Sequence, residues 1–117
     1  MSIRGLAVSA LMVSALLLPG CSSATSPVDD WGVDEPGQPQ LTLSEDGRLS
    51  GTDGCNRLMG SWEEAGDSIQ LSGIASTLMA CEGVDTWLSG AQSLKVDGDT
   101  LHVFDAGGRE LGTLRRH

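Results

Sequence analysis

The stretch Gly51 to Cys81 constrains this chain more than any other. It opens with G-T-D-G-C-N-R-L-M-G-S-W, turns, and returns through I-Q-L-S-G-I-A-S-T-L-M-A-C. Gly51 and Gly54 admit backbone conformations closed to other residues, so G-x-x-G-C-N reads as a tight corner. Asn56 suits such a corner because its short amide can bond to the local backbone. Cys55 lies in the corner and Cys81 ends the returning apolar segment. Whatever the fold, these two points are candidates for a close approach.

On these residues the chain resembles the META (HslJ-like) domain family, small bacterial envelope proteins that are often lipoproteins and often linked to stress responses. The matching positions are Gly51, Gly54, Cys55, Asn56 and Gly60, then Ser76, Thr77, Met79, Ala80 and Cys81. The resemblance runs from about Trp31 to about Leu114. It implies a mostly β domain with a non-catalytic role in binding or surface integrity. The chain departs from the family in its few aromatic residues, with no tyrosine and a single phenylalanine, Phe104.

The first 20 residues read as a signal. Arg4 precedes an apolar run from Leu6 to Leu18, too short to span a bilayer comfortably, which ends in Leu18-Pro19-Gly20-Cys21. That ending resembles a bacterial lipobox, which implies cleavage before Cys21 and a diacylglycerol on its thiol. An ordinary secretory signal that happens to contain a cysteine is the alternative. The expected setting is the cell envelope, with the mature chain anchored by lipid on the extracytoplasmic side.

An exported chain holds its thiols in an oxidising compartment. With Cys21 assigned to lipid, a Cys55–Cys81 disulfide is the default fate of the remaining pair. Two buried free thiols close in space are the alternative.

Charge narrows the partners. Seven Lys and Arg stand against 16 Asp and Glu, a formal charge of −9, and loss of the leader removes only a base, Arg4. Nucleic-acid binding needs clustered cations, so that class is set aside. Adsorption to anionic lipid is disfavoured for the same reason, which leaves the acyl chains to attach the protein. The acidity serves solubility, or else attraction for a cationic partner.

Residues 21–40 read as an acidic tether containing Pro27, Pro36 and Pro39, with the domain at 41–117 or beginning already at Trp31. Beyond it, short alternating segments are separated by turn residues. Glu45 to Arg48, Ala65 to Ser68, Gly98-Asp99 and Ala106 to Gly108 read as turns. Leu58, Gly60 and Trp62 share one face, with Gly60 leaving room for a bulky neighbour. Leu101 and Val103 face one way, and Leu111 and Leu114 fall on opposite faces of the last strand.

Val84, Trp87, Leu88 and Ala91 fall at helical spacing and predict one short helix, with Trp87 anchoring it to the sheet. Gly83 and Gly90 weaken it. The fold class expected is α+β, mostly β: a curved antiparallel sheet or partly open barrel of about seven short strands with one short helix. Trp62 and Trp87 are expected to be the main apolar contributors to its core.

Nothing in the chain assembles a nucleophile, base and orienting acid, so no enzymatic activity is expected. His102 is the sole candidate base for Cys55 or Cys81, and it reads as an exposed strand residue. Adjacent carboxylates such as Glu63-Glu64 point apart on a strand. Asp53 could in principle hold a cation, but the spacing of a calcium loop is missing, so it reads as a turn-stabilising residue. No metal and no cofactor are expected, and the protein reads as a monomer. Beyond an unidentified envelope protein, the candidate partners are a cationic enzyme that it inhibits, as lysozyme inhibitors do, or a small apolar ligand that it carries.

Overall fold

The computed structural model describes residues 26–117; the expected signal at 1–20, the expected lipidation site Cys21 and the first residues of the expected tether lie outside the described residues. Eight strands follow one another: β1 (Asp29–Gly32), β2 (Gln40–Leu43), β3 (Arg48–Thr52), β4 (Arg57–Ala65), β5 (Ser68–Ser76), β6 (Ser93–Asp97), β7 (Thr100–Phe104) and β8 (Glu110–Arg115). Each pairs antiparallel with the next in sequence, giving a single sheet in the order β1 to β8. A bridge between Trp31 and Arg116 brings β8 back to β1, so the sheet curls into a nearly closed up-and-down barrel.

The turns sit where their residues predict. Gly47, Gly66, Gly98 and Gly108 all hold a positive φ at hairpin tips. In the first of these, the Gly47 amide donates to the Ser44 carbonyl at 3.0 Å and the Ser44 amide to the Arg48 carbonyl at 2.9 Å. Short connections of this kind leave successive strands no choice but to pair with each other.

Alternation then fills the barrel. Leu41, Leu43, Leu49, Leu58, Ile69, Leu71, Leu94, Leu101, Val103 and Leu114 point inward and are buried. Strand residues between them face out, which is the period-two pattern of a one-sided sheet. Gly60 does make room: a Cβ there would lie 2.5 Å from Ile74 Cδ1.

The expected mostly β, barrel-like antiparallel sheet is the one observed, and four of its details come out differently. Of the stretch read as tether, Asp29–Gly32 is β1 and Gln40 begins β2, so strand structure begins near the earlier, Trp31 bound rather than at 41. The strands number eight, since β1 precedes the first alternating segment that the sequence makes obvious. The tryptophan that fills the core is Trp31, fully buried at 0% exposure, whereas Trp62 and Trp87 are partly buried and pack against the core from its margin. Trp31 is inside because its indole N–H finds a buried partner, the Pro27 carbonyl at 2.9 Å.

The helix is the fourth. Only Trp87–Gly90 is helical, and as a single 3-10 turn. Gly83 takes φ +74°, Thr86 makes no side-chain cap, and Ala91 is already extended. With a left-handed glycine at one end and no cap to nucleate it, the amphipathic spacing cannot propagate into an α-helix. Its apolar residues still reach the core: Leu88 and Ala91 are buried, and the Trp87 ring lies flat against Gly112, where a Cβ would sit 2.8 Å from the ring.

A bulge explains the last strand. Val103 pairs with Gly112 but Phe104 with Glu110, so Leu111 is an extra residue on β8. The inserted residue resets the alternation. Leu111 and Leu114, expected on opposite faces, therefore both pack on the core.

Candidate functional site

Asp53 builds the corner between β3 and β4. It is 1% exposed, and its Oδ1 accepts the backbone N–H groups of Cys55 at 2.8 Å and Asn56 at 2.6 Å. These bonds fold the chain back on itself, and the Asp53 amide donates to the Asn56 carbonyl at 3.0 Å. The turn-stabilising reading of Asp53 is the one observed. Its other oxygen, Oδ2, is buried with no hydrogen-bond partner. Among the described residues no group of three or more His, Cys, Asp or Glu side chains is placed to hold a metal.

Gly54 follows at φ +100°, where a Cβ would lie 2.9 Å from the Gly37 carbonyl oxygen and 3.1 Å from Val84. Gly51 is fixed by close approach: a Cβ there would collide with the Gln40 carbonyl oxygen on β2.

Asn56 is the hub. Its Oδ1 accepts the Met79 amide and, at 2.9 Å, the Thr77 hydroxyl, while its Nδ2 donates to the Met79 carbonyl at 3.1 Å. The Thr77 hydroxyl oxygen accepts in turn from the Arg57 amide at 3.0 Å. One buried amide thus holds the whole Thr77–Met79 segment against the corner. Cys55 and Cys81 complete the fastening as a disulfide, with Cα atoms 5.8 Å apart.

The two halves of the motif are therefore one structural unit. Its internal bonds account for Cys55, Asn56, Thr77 and Cys81, and the close approach of Gln40 and Gly37 accounts for Gly51 and Gly54. They do not account for Ser76, whose hydroxyl donates only to the Thr77 carbonyl, or for exposed Ala80. Nor do they account for the Met79 side chain. Its backbone is bound, yet its thioether chain is 61% exposed, beside Leu78 at 96% and across from Met59 at 51%.

These methionines border an open groove of about 650 Å³ on the outer face of the sheet. Gln40, Thr52 and Arg57 line its floor, with Asp34 on one side and Thr77 and Met79 on the other. A second depression, of about 500 Å³, continues it along β3 and β4, sharing Ser50 and Met59. Met59 and Met79 offer soft, adaptable apolar contacts. Arg57 forms no ion pair among the described residues. The sequence marked Met79 through the motif; exposed Met59 carried no signal beyond its alternation with inward Leu58.

The chain belongs to the META domain family. The META domain family model matches residues 22–117, all but the first 21 of the 117 residues. Among curated proteins and among solved structures, nothing matches the chain. In this META domain the Asn56 knot and the disulfide tie the β3–β4 corner to residues 77–81.

His102 lies apart from this unit, on β7. Its Nδ1 is 2.9 Å from Glu110 Oε2 and its Nε2 3.9 Å from Asp97 Oδ2, so it is held on the outer face between two carboxylates. Cys55 and Cys81 are bonded to each other.

The clearest electrostatic feature is at the seam. The Arg116 guanidinium donates to Asp29 Oδ2 at 2.8 Å, and this bond, with the Asp30 amide, holds the Asp29 carboxyl below the usual aspartate range. At the β7–β8 turn, the Arg109 and Gly107 amides depress Asp105 in the same direction.

Proposed function

We propose that this META domain is a non-catalytic binding module of the cell envelope, lipid-anchored through Cys21 on the extracytoplasmic side, with a stress-linked role in binding or surface integrity. The observation that carries the binding role is the Met79 side chain. Its backbone is locked by Asn56, yet its side chain is left exposed opposite Met59 over the groove. Rigid presentation of flexible apolar side chains suits recognition better than it suits packing.

The non-catalytic reading rests on the same geometry. Both cysteines of the domain are spent in a disulfide, and His102 is committed to carboxylates on another strand. The interior is filled by core side chains, so recognition falls to the outer surface. The lipid anchor rests on the Leu18-Pro19-Gly20-Cys21 signal and on the acidic charge, which gives the domain no affinity of its own for anionic lipid.

In-cell photo-cross-linking tests both halves. A cross-linking residue at Met59 should capture a partner from the membrane fraction, whereas one at Glu63, exposed further along β4, should not. Cys21→Ser should lose the acyl mass and release the protein. Equal capture from both positions removes the groove as the binding site; wild-type protein without acyl mass removes the anchor.

A further inference from the structure

β5 is paired on both sides for only part of its length. Toward β6 its partners are Ile69 with Leu94 and Gln70 with Ser93, followed by one bond from the Leu71 amide to the Gln92 carbonyl. Beyond that point β5 runs on to Ser76 against β4 alone. Its pairing with β4 steps from Ser61–Ser72 to Met59–Ala75, an extra residue on β5 at Gly73, which takes φ +62°. This bulge bends the outer half of β5 away from β6 and leaves a free strand edge.

The edge has unpaired hydrogen-bonding groups. The Thr77 amide donates to the Arg57 carbonyl at 3.2 Å, so Thr77 faces β4. By the alternation of an antiparallel ladder, the amide and carbonyl of Ser76 point the opposite way, outward. Among the described residues no backbone bond reaches residues 72–76 from that side. Ser72, Gly73, Ala75 and Ser76 are exposed.

Free edges are usually blunted by a bulge, or by lysine, proline or inward charge; here the Gly73 bulge is the one such device, and no charge or proline accompanies it. From Ser68 to Cys81 the chain carries no charged side chain, the longest such run among the described residues of a chain whose formal charge is −9. Asp67, before the run, is ion-paired with Lys95 at 3.7 Å; Glu82 follows the run directly, and exposed Leu78 and Met79 lie within it.

We infer that the outer half of β5, residues 72–76, accepts an added strand from another protein, an extended peptide with apolar residues flanked by Lys or Arg. Main-chain bonds to the edge supply affinity, as in other strand-addition complexes. Leu78 and Met79 offer apolar contacts, and Glu82 with the chain's net negative charge selects for flanking cations. A second copy of this chain would meet the same edge but brings its own negative charge, which repels. The inference deepens the binding-module reading and rests on it for the existence of a partner.

The test uses the full-length protein in detergent micelles with its disulfide intact. Its probes are the acetylated peptide KKVTVSVKK, the same peptide N-methylated on alternate residues, and EEVTVSVEE. KKVTVSVKK should slow amide exchange at Ser76 and its neighbours. N-methylation or the acidic flanks should each weaken binding about tenfold or more. Ser76→Pro, which removes the outward amide, should do the same; Ala75→Lys, at an exposed position, should weaken binding through charge alone should the proline variant fail to fold. Equal binding of the N-methylated peptide overturns the inference, as does protection confined to the Met59–Met79 groove. Protection that rises with protein concentration without peptide replaces the peptide with a second copy. None of these outcomes alters the acyl mass at Cys21 or the capture from Met59, so failure here is distinct from failure of the broader reading.

Discussion

The guanidinium of Arg116 lies over the indole of Trp31, 4.3 Å from the ring centroid, and the same two residues form the bridge that joins the last strand to the first. The stacking covers the outer side of a tryptophan whose N–H is bonded to Pro27. Arg116 also donates to Asp29 and to the Gly98 carbonyl at 3.1 Å. Barrel closure, the burial of Trp31 and the charge at the seam are thus one arrangement.

The seam predicts an acid limb. The Asp29 carboxyl is depressed in the folded state, chiefly by Arg116. A depressed carboxyl contributes stability that is present above its unfolded value and is lost as pH falls through its folded value. Asp29→Asn should therefore lower stability at neutral pH and shrink the loss of stability on acidification below about pH 4. Urea titrations of both proteins from pH 7 to pH 3 check this, and parallel curves would remove Asp29 as a contributor.

The tryptophans should separate. Trp31→Ala should cost about 3–5 kcal/mol, the range for a fully buried aromatic. Trp87→Ala should cost less, because its ring lies at the core margin over Gly112. Gly112→Val should push that ring away, at about 1–3 kcal/mol. Denaturant midpoints give the ranking, with near-UV circular dichroism reporting whether the Trp87 ring has moved.

Asn56→Ala should destabilise by about 2–4 kcal/mol, since it removes the partners of the Met79 amide, the Met79 carbonyl and the Thr77 hydroxyl together. Hydrogen exchange should show the loss concentrated at residues 77–81. A uniform change across the barrel would mean that Asn56 supports the core generally rather than the loop.

The disulfide spans a separation of 26 residues, for which chain entropy predicts stabilisation of about 3.5 kcal/mol. Intact mass under denaturing conditions, with and without reduction, should show no alkylatable thiol at Cys55 or Cys81 until reductant is added. Cys55→Ser and Cys81→Ser should then destabilise alike, and the double variant no further, because either single change already opens the loop.

Much of this barrel is legible residue by residue. Hairpin tips need positive φ, and glycine marks them at Gly47, Gly66, Gly98 and Gly108. Inward positions need apolar side chains at period two, and Leu41, Leu43, Leu101 and Val103 announce them. The corner and its returning segment are visible in the glycines, Asn56 and the two cysteines. All of these are local requirements on one or two residues, which composition and spacing express directly.

What only the tertiary structure decided depends on partners from distant parts of the chain. Trp31 is covered by Arg116, from the opposite end of the chain, and the bridge between the two closes the seam. Leu111 joins Leu114 on one face because a bulge against β7 inserts a residue, and a pairing register is not written in either strand alone. The helical spacing of Val84 to Ala91 shortens to one 3-10 turn between left-handed Gly83 and extended Ala91, and only the fold shows that Trp87 then packs on Gly112. Met79 follows the same logic: the motif marks its position, but only the bonds from Asn56 to its backbone release its side chain to solvent.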